Sequence, residues 1–147
     1  MPPVRIYLDT SVFGGCFDPP FSAASLRLFE FVLQGQFRIV VSTTLLGEIE
    51  EAPPHVRQVL LSLPPEAVEI FPGGAEVTRL RDAYLAAGAL GDAEHVAAAT
   101  VSGADLLVSW NFKHIVHYDK IRQYEGINVA HGHRSPRIHS PLEVVGP

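Results

Sequence analysis

Carboxylate and amide side chains stand beside predicted strands at separate points of this chain. Asp9 ends the apolar run that begins at Arg5, and Asn111 ends a later run of the same kind. Glu48 lies in the helix predicted to follow another strand, and Asp92 begins a helix that leads into a strand. In a parallel sheet all of these positions fall at the edge formed by the carboxyl ends of the strands, where open α/β proteins bind ligands. The sequence therefore predicts one site built from separate segments.

Oxygen donors gathered in this way favour a hard divalent cation. Like charges brought together repel and raise one another's pKa, and Mg²⁺ or Mn²⁺ would offset that repulsion. Metal ions held by carboxylates activate water and neutralise charge on a phosphodiester during hydrolysis. The pattern therefore predicts metal-dependent phosphodiester hydrolysis, with Asp9, Glu48 and Asp92 as catalytic and metal-binding acids and with Asn111 as a possible ligand through its amide oxygen.

Each acid also has a purely structural interpretation. Asp9 suits a turn between a strand and a helix, and Asp92 suits the N-cap of a helix. Glu48 stands close to Glu50 and Glu51, and a run of acids on a helix is commonly a solvated face. Taken singly, the acids leave both interpretations open. Their convergence on one edge of one sheet favours the site.

Alternating strand and helix patterns place these residues. The predicted strands are the run from Arg5 to Asp9 and residues 37–41, 105–110 and 126–129, the last at an edge, with 67–71 as a strand or an extended link. The predicted helices are a segment that begins at Ser22 or Ser25 and ends before Gly35, residues 43–51, 56–63, 75–87 and 91–100, and a turn at 120–125. Residues 14–20 are predicted as a loop, and the tail from residue 130 is predicted to be loop-like. This alternation predicts one three-layer α/β/α domain over residues 1–147, with a central, mostly parallel sheet of four to five strands.

The composition is that of a globular protein. A chain of 147 residues with 47% hydrophobic residues can form a substantial core. It shows no apolar run near the ~20 residues that span a bilayer and no signal-peptide pattern, and Cys16 is its single cysteine, so we expect a cytoplasmic protein with no membrane partner. The formal net charge of -5 argues against a basic nucleic-acid-binding face, although bound cations would supply positive charge at the site.

Motifs along nearly the whole chain resemble the PIN-domain family, and most closely its small VapC-type toxins from prokaryotic toxin–antitoxin pairs. The motifs are Tyr7-Leu8-Asp9-Thr10-Ser11-Val12, Leu45-Leu46-Gly47-Glu48-Ile49, Asp92-Ala93-Glu94-His95-Val96-Ala97-Ala98-Ala99 and Asp105-Leu106-Leu107-Val108-Ser109-Trp110-Asn111-Phe112-Lys113-His114. Each motif is short, and their order and spacing carry the resemblance. It implies a PIN-like fold and a ribonuclease that depends on Mg²⁺ or Mn²⁺.

The resemblance also implies roles for individual residues. By position, Asp9, Glu48 and Asp92 match the family's first, second and third acids, and Ser11 matches a position that often supports the metal site. Asn111 stands where many members carry a fourth acid, and this departure bears on whether a second metal binds. The family further implies a homodimer and a cognate antitoxin protein that blocks the site.

Two further interpretations concern the substrate and the activity. Lys113 and His114 follow Asn111 and are candidate contacts for the phosphates of an RNA substrate. The alternative to an enzyme is a PIN-like RNA- or protein-binding module with weak or no catalysis, which Asn111 and the acidic net charge favour. A phosphatase with Asp9 as nucleophile is disfavoured, because Ser11 stands where such sites carry a second acid.

Overall fold

A parallel sheet forms the centre of the molecule. The computed structural model describes residues 2–89 and 91–146, and within them five strands form this sheet. The strands are β1 (Val4–Leu8), β2 (Phe37–Ser42), β3 (Val68–Phe71), β4 (Leu106–Val108) and β5 (Arg137–His139). Their order is β3-β2-β1-β4-β5, and each neighbouring pair is parallel. Residues 1, 90 and 147 of the predicted domain lie outside the described residues.

Helices cover both faces of the sheet. They are α1 (Thr10–Gly15), α2 (Pro19–Leu33), α3 (Thr43–Glu51), α4 (Pro54–Leu61), α5 (Ala75–Ala86), α6 (Ala93–Val101), α7 (Tyr118–Ala130) and α8 (Pro141–Val145), with a 3₁₀ turn at Pro65–Ala67. Within the described ranges, none of these helices combines the length and the apolar character needed to cross a membrane.

The central strand β1 divides the core into two layers. Ile6 and Leu8 pack in one apolar cluster with side chains of α1 to α4, whereas Tyr7 packs in a second cluster with side chains of α5, α6 and α7. Successive side chains of a strand point to opposite faces, so a strand that is covered on both faces must be apolar at consecutive positions. This explains the unbroken apolar run before Asp9, and the predicted three-layer α/β/α architecture is confirmed.

The C-terminal part differs from the prediction. The predicted edge strand at residues 126–129 is wrong, because these residues lie in α7. Tyr124 and Asn128 are buried four positions apart, which is the spacing of one helical face, and the short apolar pattern around Gly126 concealed it. The tail from residue 130 is not a loop throughout, since it contains α8 and the edge strand β5. β5 was missed because it has 3 residues and only Ile138 in it is buried.

The segment after β1 also differs. Residues 14–20 were predicted as a loop, but α1 extends to Gly15 and α2 begins at Pro19, before the predicted start at Ser22 or Ser25. The two prolines that suggested a loop occupy the first turn of α2, where a missing N–H costs no helical hydrogen bond. By contrast, α3 has the bounds predicted from its sequence, which matters because it carries Glu48.

Candidate functional site

The carboxyl edge of the sheet carries a cavity of about 590 Å³. Leu8 of β1 pairs with Val108 of β4, so Asp9 and Ser109 leave the sheet next to each other. The lining residues are Asp9, Thr10, Ser11, Gly14, Gly15, Asp18, Phe21, Glu48, Asp92, His95, Trp110 and Asn111. The fold thus brings the three predicted acids, Ser11 and Asn111 into one cavity.

Asp9 is held by hydroxyl groups. Its side chain is 3% exposed; Ser11 Oγ donates to Oδ1 at 2.5 Å and Ser109 Oγ donates to Oδ2 at 2.7 Å. Each serine oxygen also accepts a backbone N–H, from Trp110 for Ser11 and from Asn111 for Ser109, so both hydroxyl protons are left to point at Asp9. Burial raises the pKa of the Asp9 carboxyl, the two serines oppose that shift, and the nearby charge of Asp92 adds to it.

The capping interpretation of two acids does not match their contacts. Asp9 and Asp92 stand at the N-cap positions of α1 and α6, but within the part of the chain that the structure describes neither side chain makes a capping hydrogen bond. By comparison, Ser42 at the N-cap of α3 accepts the N–H of Leu45 at 3.1 Å. The carboxylates of Asp9 and Asp92 are therefore directed to other partners.

Asn111 orients Asp92. Its Nδ2 donates to Asp92 Oδ2 at 2.7 Å, and its Oδ1 accepts the backbone N–H groups of Lys113 at 3.1 Å and His114 at 2.9 Å. The two backbone donors fix which end of the amide faces Asp92, because a nitrogen could not accept them. Asn111 thus contacts the third acid directly, and its role as a supporting metal ligand stays a prediction.

Glu48 is the most accessible of the three predicted acids. Its side chain is 43% exposed, and its Oε1 accepts a hydrogen bond from Thr10 Oγ1 and lies 2.8 Å from His95 Nε2. His95 is 3% exposed and hydrogen-bonded at both ring nitrogens, so it is a packed histidine of the interior. Both contacts of Glu48 use Oε1, so among the described residues its Oε2 has no hydrogen-bond partner and is open to water or a ligand.

Lys113 and His114 lie beside the cavity and not in its lining. Lys113 is exposed, and the imidazole of His114 packs so tightly on Gly91 that a Cβ added there would lie 2.8 Å from the ring. Gly91 also has a φ of 84°, which favours glycine. The close packing of His114 therefore supports the turn before Asp92, and the predicted phosphate contacts of both residues stay predictions.

One wall of the cavity is aromatic. The rings of Phe21 and Trp110 have centroids 4.4 Å apart, and Trp110 Nε1 donates to Ser25 Oγ at 2.8 Å. Gly15 allows this arrangement, because a Cβ there would meet both the indole and Ser25 at 2.8 Å. The cavity therefore combines an acidic side with an apolar side.

The donor set suits a hard cation held partly by water. Among the described residues that line the cavity there are four acids, Asp9, Asp18, Glu48 and Asp92, and no Lys or Arg. Throughout residues 2–89 and 91–146, however, His, Cys, Asp and Glu side chains form no group of three or more arranged to hold a metal ion. Mg²⁺ commonly binds through one or two carboxylates and keeps several waters. Asp9 and Asp92 fit that mode, because both carboxylates line the same cavity.

Comparison with known proteins shows the fold. No protein-family model matches the chain, and no curated protein matches it significantly. Among solved structures, a chain of the crystal structure of VapBC2 from Rickettsia felis bound to a DNA fragment from their promoter is similar. Its TM-score is 0.58 at 13% sequence identity, over 93% of this chain and 98% of that chain. The predicted PIN-like fold is therefore confirmed.

The sequence pattern did not reveal every residue at this edge. The pattern predicts no role for Ser109, Thr10, Phe21 or Tyr7, although Ser109 lies within one of the motifs. Ser109 had a usable signal, because it follows a predicted strand just as Asp9 does. The hydrogen bond between His95 and Glu48 had no signal in the sequence, because it joins two helices that are distant along the chain.

Proposed function

We propose that this protein is a Mg²⁺- or Mn²⁺-dependent endoribonuclease. The observation that carries the proposal is the cavity in which Asp9, Glu48 and Asp92 meet without a lysine or arginine among its described lining residues. Such a site repels the negative charge of a phosphodiester unless a cation binds. The proposed activity therefore requires a cation held by these acids. The PIN-like fold and the motifs that carry the family resemblance support it.

The residues of the chain have separate tasks in this proposal. Asp9 and Asp92 would hold the cation, which when bound supplies positive charge to the phosphodiester and helps to activate water. Ser11 and Ser109 fix both oxygens of Asp9, and Asn111 fixes Asp92, so neither carboxylate has to reorganise when substrate binds. Glu48 keeps Oε2 available for water at the open side of the cavity.

The aromatic wall supports an RNA substrate. Bases that are not paired stack on aromatic side chains, and such stacking does not need positive charge on the protein. Phe21 and Trp110 offer an apolar surface of this kind beside the acids. We infer that the substrate is bound by stacking and by the cation more than by contacts from basic side chains.

We further propose that the protein is the toxin of a toxin–antitoxin pair, acting as a homodimer. The similarity of its fold to a chain of the VapBC2 structure supports this biological role, as do the VapC-type motifs. Expression of the chain alone should arrest growth, and co-expression of the protein encoded by the adjacent reading frame should relieve the arrest. Growth that is equal with and without the chain would contradict the toxin role and leave the nuclease proposal in place.

A second candidate is a PIN-like module that binds RNA or protein with weak or no catalysis. Asn111 at the position of a fourth acid and the absence, within the described residues, of a three-ligand metal group favour it. This candidate predicts that Asp92→Ala removes any RNA cleavage and leaves growth arrest intact. The nuclease proposal predicts that both are lost together.

The decisive experiment is RNA cleavage by the purified chain. With Mg²⁺ or Mn²⁺ the wild type should cleave a labelled RNA that contains unpaired segments, and EDTA should stop the reaction. Asp9→Asn should lower the rate at least about 100-fold, because it removes a carboxylate that would act in the transition state. Asp82→Asn is the matched control, since Asp82 is an exposed acid on α5 outside the cavity lining. Cleavage by Asp9→Asn at the wild-type rate would overturn the proposal.

A further inference from the structure

A buried chain of hydrogen bonds leads from the core to Glu48. Ser42 Oγ lies 2.6 Å from the hydroxyl of Tyr7, that hydroxyl lies 2.7 Å from His95 Nδ1, and His95 Nε2 lies 2.8 Å from Glu48 Oε1. Ser42, Tyr7 and His95 are all buried, whereas Glu48 is exposed to the cavity. This series of hydrogen bonds therefore joins buried groups of the core to the most exposed of the three predicted acids.

The groups at the two ends of this series, Ser42 and Glu48, determine which atom donates in each hydrogen bond. A carboxylate only accepts, so His95 Nε2 carries the proton that faces Glu48. In the neutral imidazole Nδ1 then accepts from the Tyr7 hydroxyl, which in turn accepts from Ser42 Oγ. Ser42 Oγ keeps a lone pair for the N–H of Leu45 at 3.1 Å, so both hydroxyls and both ring nitrogens in this series of bonds have partners.

The opposite direction fits less well. It would need a hydrogen on both nitrogens of His95, because Nδ1 would have to donate to Tyr7. Tyr7 would then donate to Ser42, and among the described residues the hydroxyl proton of Ser42 would have no acceptor. Leaving a buried donor unpaired is costly, so the favoured arrangement is the one in which Nε2 donates to Glu48 and Nδ1 accepts from Tyr7.

The chain of bonds also connects the segments that carry the three acids. Tyr7 lies in β1, two positions before Asp9, which follows the strand, and His95 is three positions after Asp92 at the start of α6. Among the described residues, the side chain of Glu48 forms hydrogen bonds only with His95 Nε2 and Thr10 Oγ1. A long exposed side chain otherwise samples several rotamers, so His95, together with Thr10, sets where the Glu48 carboxylate stands relative to the other acids.

We propose that His95 is a positioning residue that holds Glu48 at the cavity through Nε2–H, with Tyr7 selecting the tautomer of the imidazole. The inference rests on the proposed nuclease function, which gives Glu48 its task. In this role His95 acts through Glu48 and does not contact the substrate.

The first test needs no activity. In ¹⁵N-labelled wild type, long-range ¹H–¹⁵N spectra should show His95 with a hydrogen on Nε2 and none on Nδ1, and the spectrum of His95→Gln assigns the signal by its absence. A hydrogen on Nδ1 of His95 would overturn the proposed tautomer and its dependence on Tyr7. This readout is taken on the wild type, so it does not depend on the activity of any variant.

The second test compares two amides at position 95. Gln places an amide nitrogen near the former Nε2 and can donate to Glu48, whereas Asn places it near the former Nδ1 and cannot reach. His95→Asn should lower kcat about 10- to 100-fold with a KM within about 3-fold of wild type, and His95→Gln should restore most of kcat. A residue that serves packing alone predicts no such difference between the two amides.

The chain offers a matched control pair. His133 Nε2 lies 3.0 Å from Glu76 Oε2, and this histidine–glutamate contact is outside the cavity lining. His133→Asn and His133→Gln should both keep the wild-type kcat. Provided that the wild type cleaves RNA, the proposal is overturned if His95→Asn and His95→Gln have equal kcat values, whether both are slow or both are fully active. A wild type that fails to cleave RNA would instead contradict the nuclease function, and the NMR result would still report the tautomer.

Discussion

Two buried tyrosines on the same side of the sheet anchor two polar networks that differ in where they end. We call the one formed by Ser42, Tyr7, His95 and Glu48 the open network, and the one formed by Tyr84, Asn128, Thr100 and Ser135 the closed network. Both tyrosines belong to the core layer of α5, α6 and α7, and α6 supplies a member to each network. Tyr7 and Tyr84 are equally buried, so the burial of the tyrosine cannot explain why the two networks end in different places.

The closed network contains only neutral groups. Tyr84 donates to Asn128 Oδ1, and Asn128 Nδ2 donates to Ser135 Oγ at 2.9 Å and to Thr100 Oγ1 at 3.4 Å. Thr100 donates to the backbone carbonyl of Val96 at 2.8 Å, so the bonds end within the protein. These contacts connect α5, α6 and α7 with the segment that leads to β5. The closed network therefore stabilises the packing of these elements.

The open network ends in an ionisable group at a cavity. Glu48 is 43% exposed, and three further carboxylates line the same cavity. The comparison shows that a buried tyrosine with good partners is not by itself a sign of function. The informative feature is a buried network whose last member is a charged group that a ligand can reach.

The largest expected effect concerns the centre of the closed network. Asn128→Ala should lower the free energy of unfolding by about 2–4 kcal/mol, because it leaves the hydroxyl of Tyr84 and its other partners without a bond in the core. Activity for each folded molecule should stay at the wild-type level. Urea unfolding followed by circular dichroism, with RNA cleavage assayed on the same preparation, measures both. If the folded fraction of Asn128→Ala had a lower kcat than the wild type, the closed network would also serve activity. The two networks would then not differ in function.

The next effect compares the two tyrosines directly. Tyr7→Phe and Tyr84→Phe should each lower the free energy of unfolding by about 1–2 kcal/mol, because each removes one buried hydroxyl and leaves its partners unpaired. Only Tyr7→Phe should also lower kcat, by about 10-fold, because His95 loses the group that selects its tautomer. Thermal or urea unfolding and steady-state kinetics on the pair provide the measurement. Equal kcat values in the two variants would show that the open network serves stability alone.

The smallest effect is on the pH dependence of stability. Burial raises the pKa of the Asp9 carboxyl, so as the pH rises above about 4 the unfolded chain releases its proton before the folded chain does. The folded state then binds more protons, and the free energy of unfolding falls with rising pH until the pH passes the folded-state pKa. Asp9→Asn should flatten that fall, whereas Asn128→Ala should lower the whole curve and keep its slope. Urea unfolding in EDTA between about pH 4 and pH 8 tests this, and an unchanged slope in Asp9→Asn would contradict the assignment.

Much of the site could be predicted because it follows a local rule. Asp9 ends a strand, α3 has the predicted bounds around Glu48, and Asp92 begins a helix that leads back to a strand. A parallel sheet sends all such positions to one edge, whatever the details of packing. The prediction was wrong where the local signal was short or ambiguous, at α7, at the brief strand β5 and in the proline-rich start of α2.

The sequence by itself determined that an α/β/α fold would gather acids at the carboxyl edge of its sheet, since periodicity and the order of elements are written in neighbouring residues. Only the tertiary structure decided what holds each acid. The register of β1 against β4 brings Ser109 to Asp9 across 100 positions of the chain, and the packing of α6 beside α3 brings His95 to Glu48. Strand register and helix packing depend on how all side chains fill the core together, so no short stretch of sequence contains them.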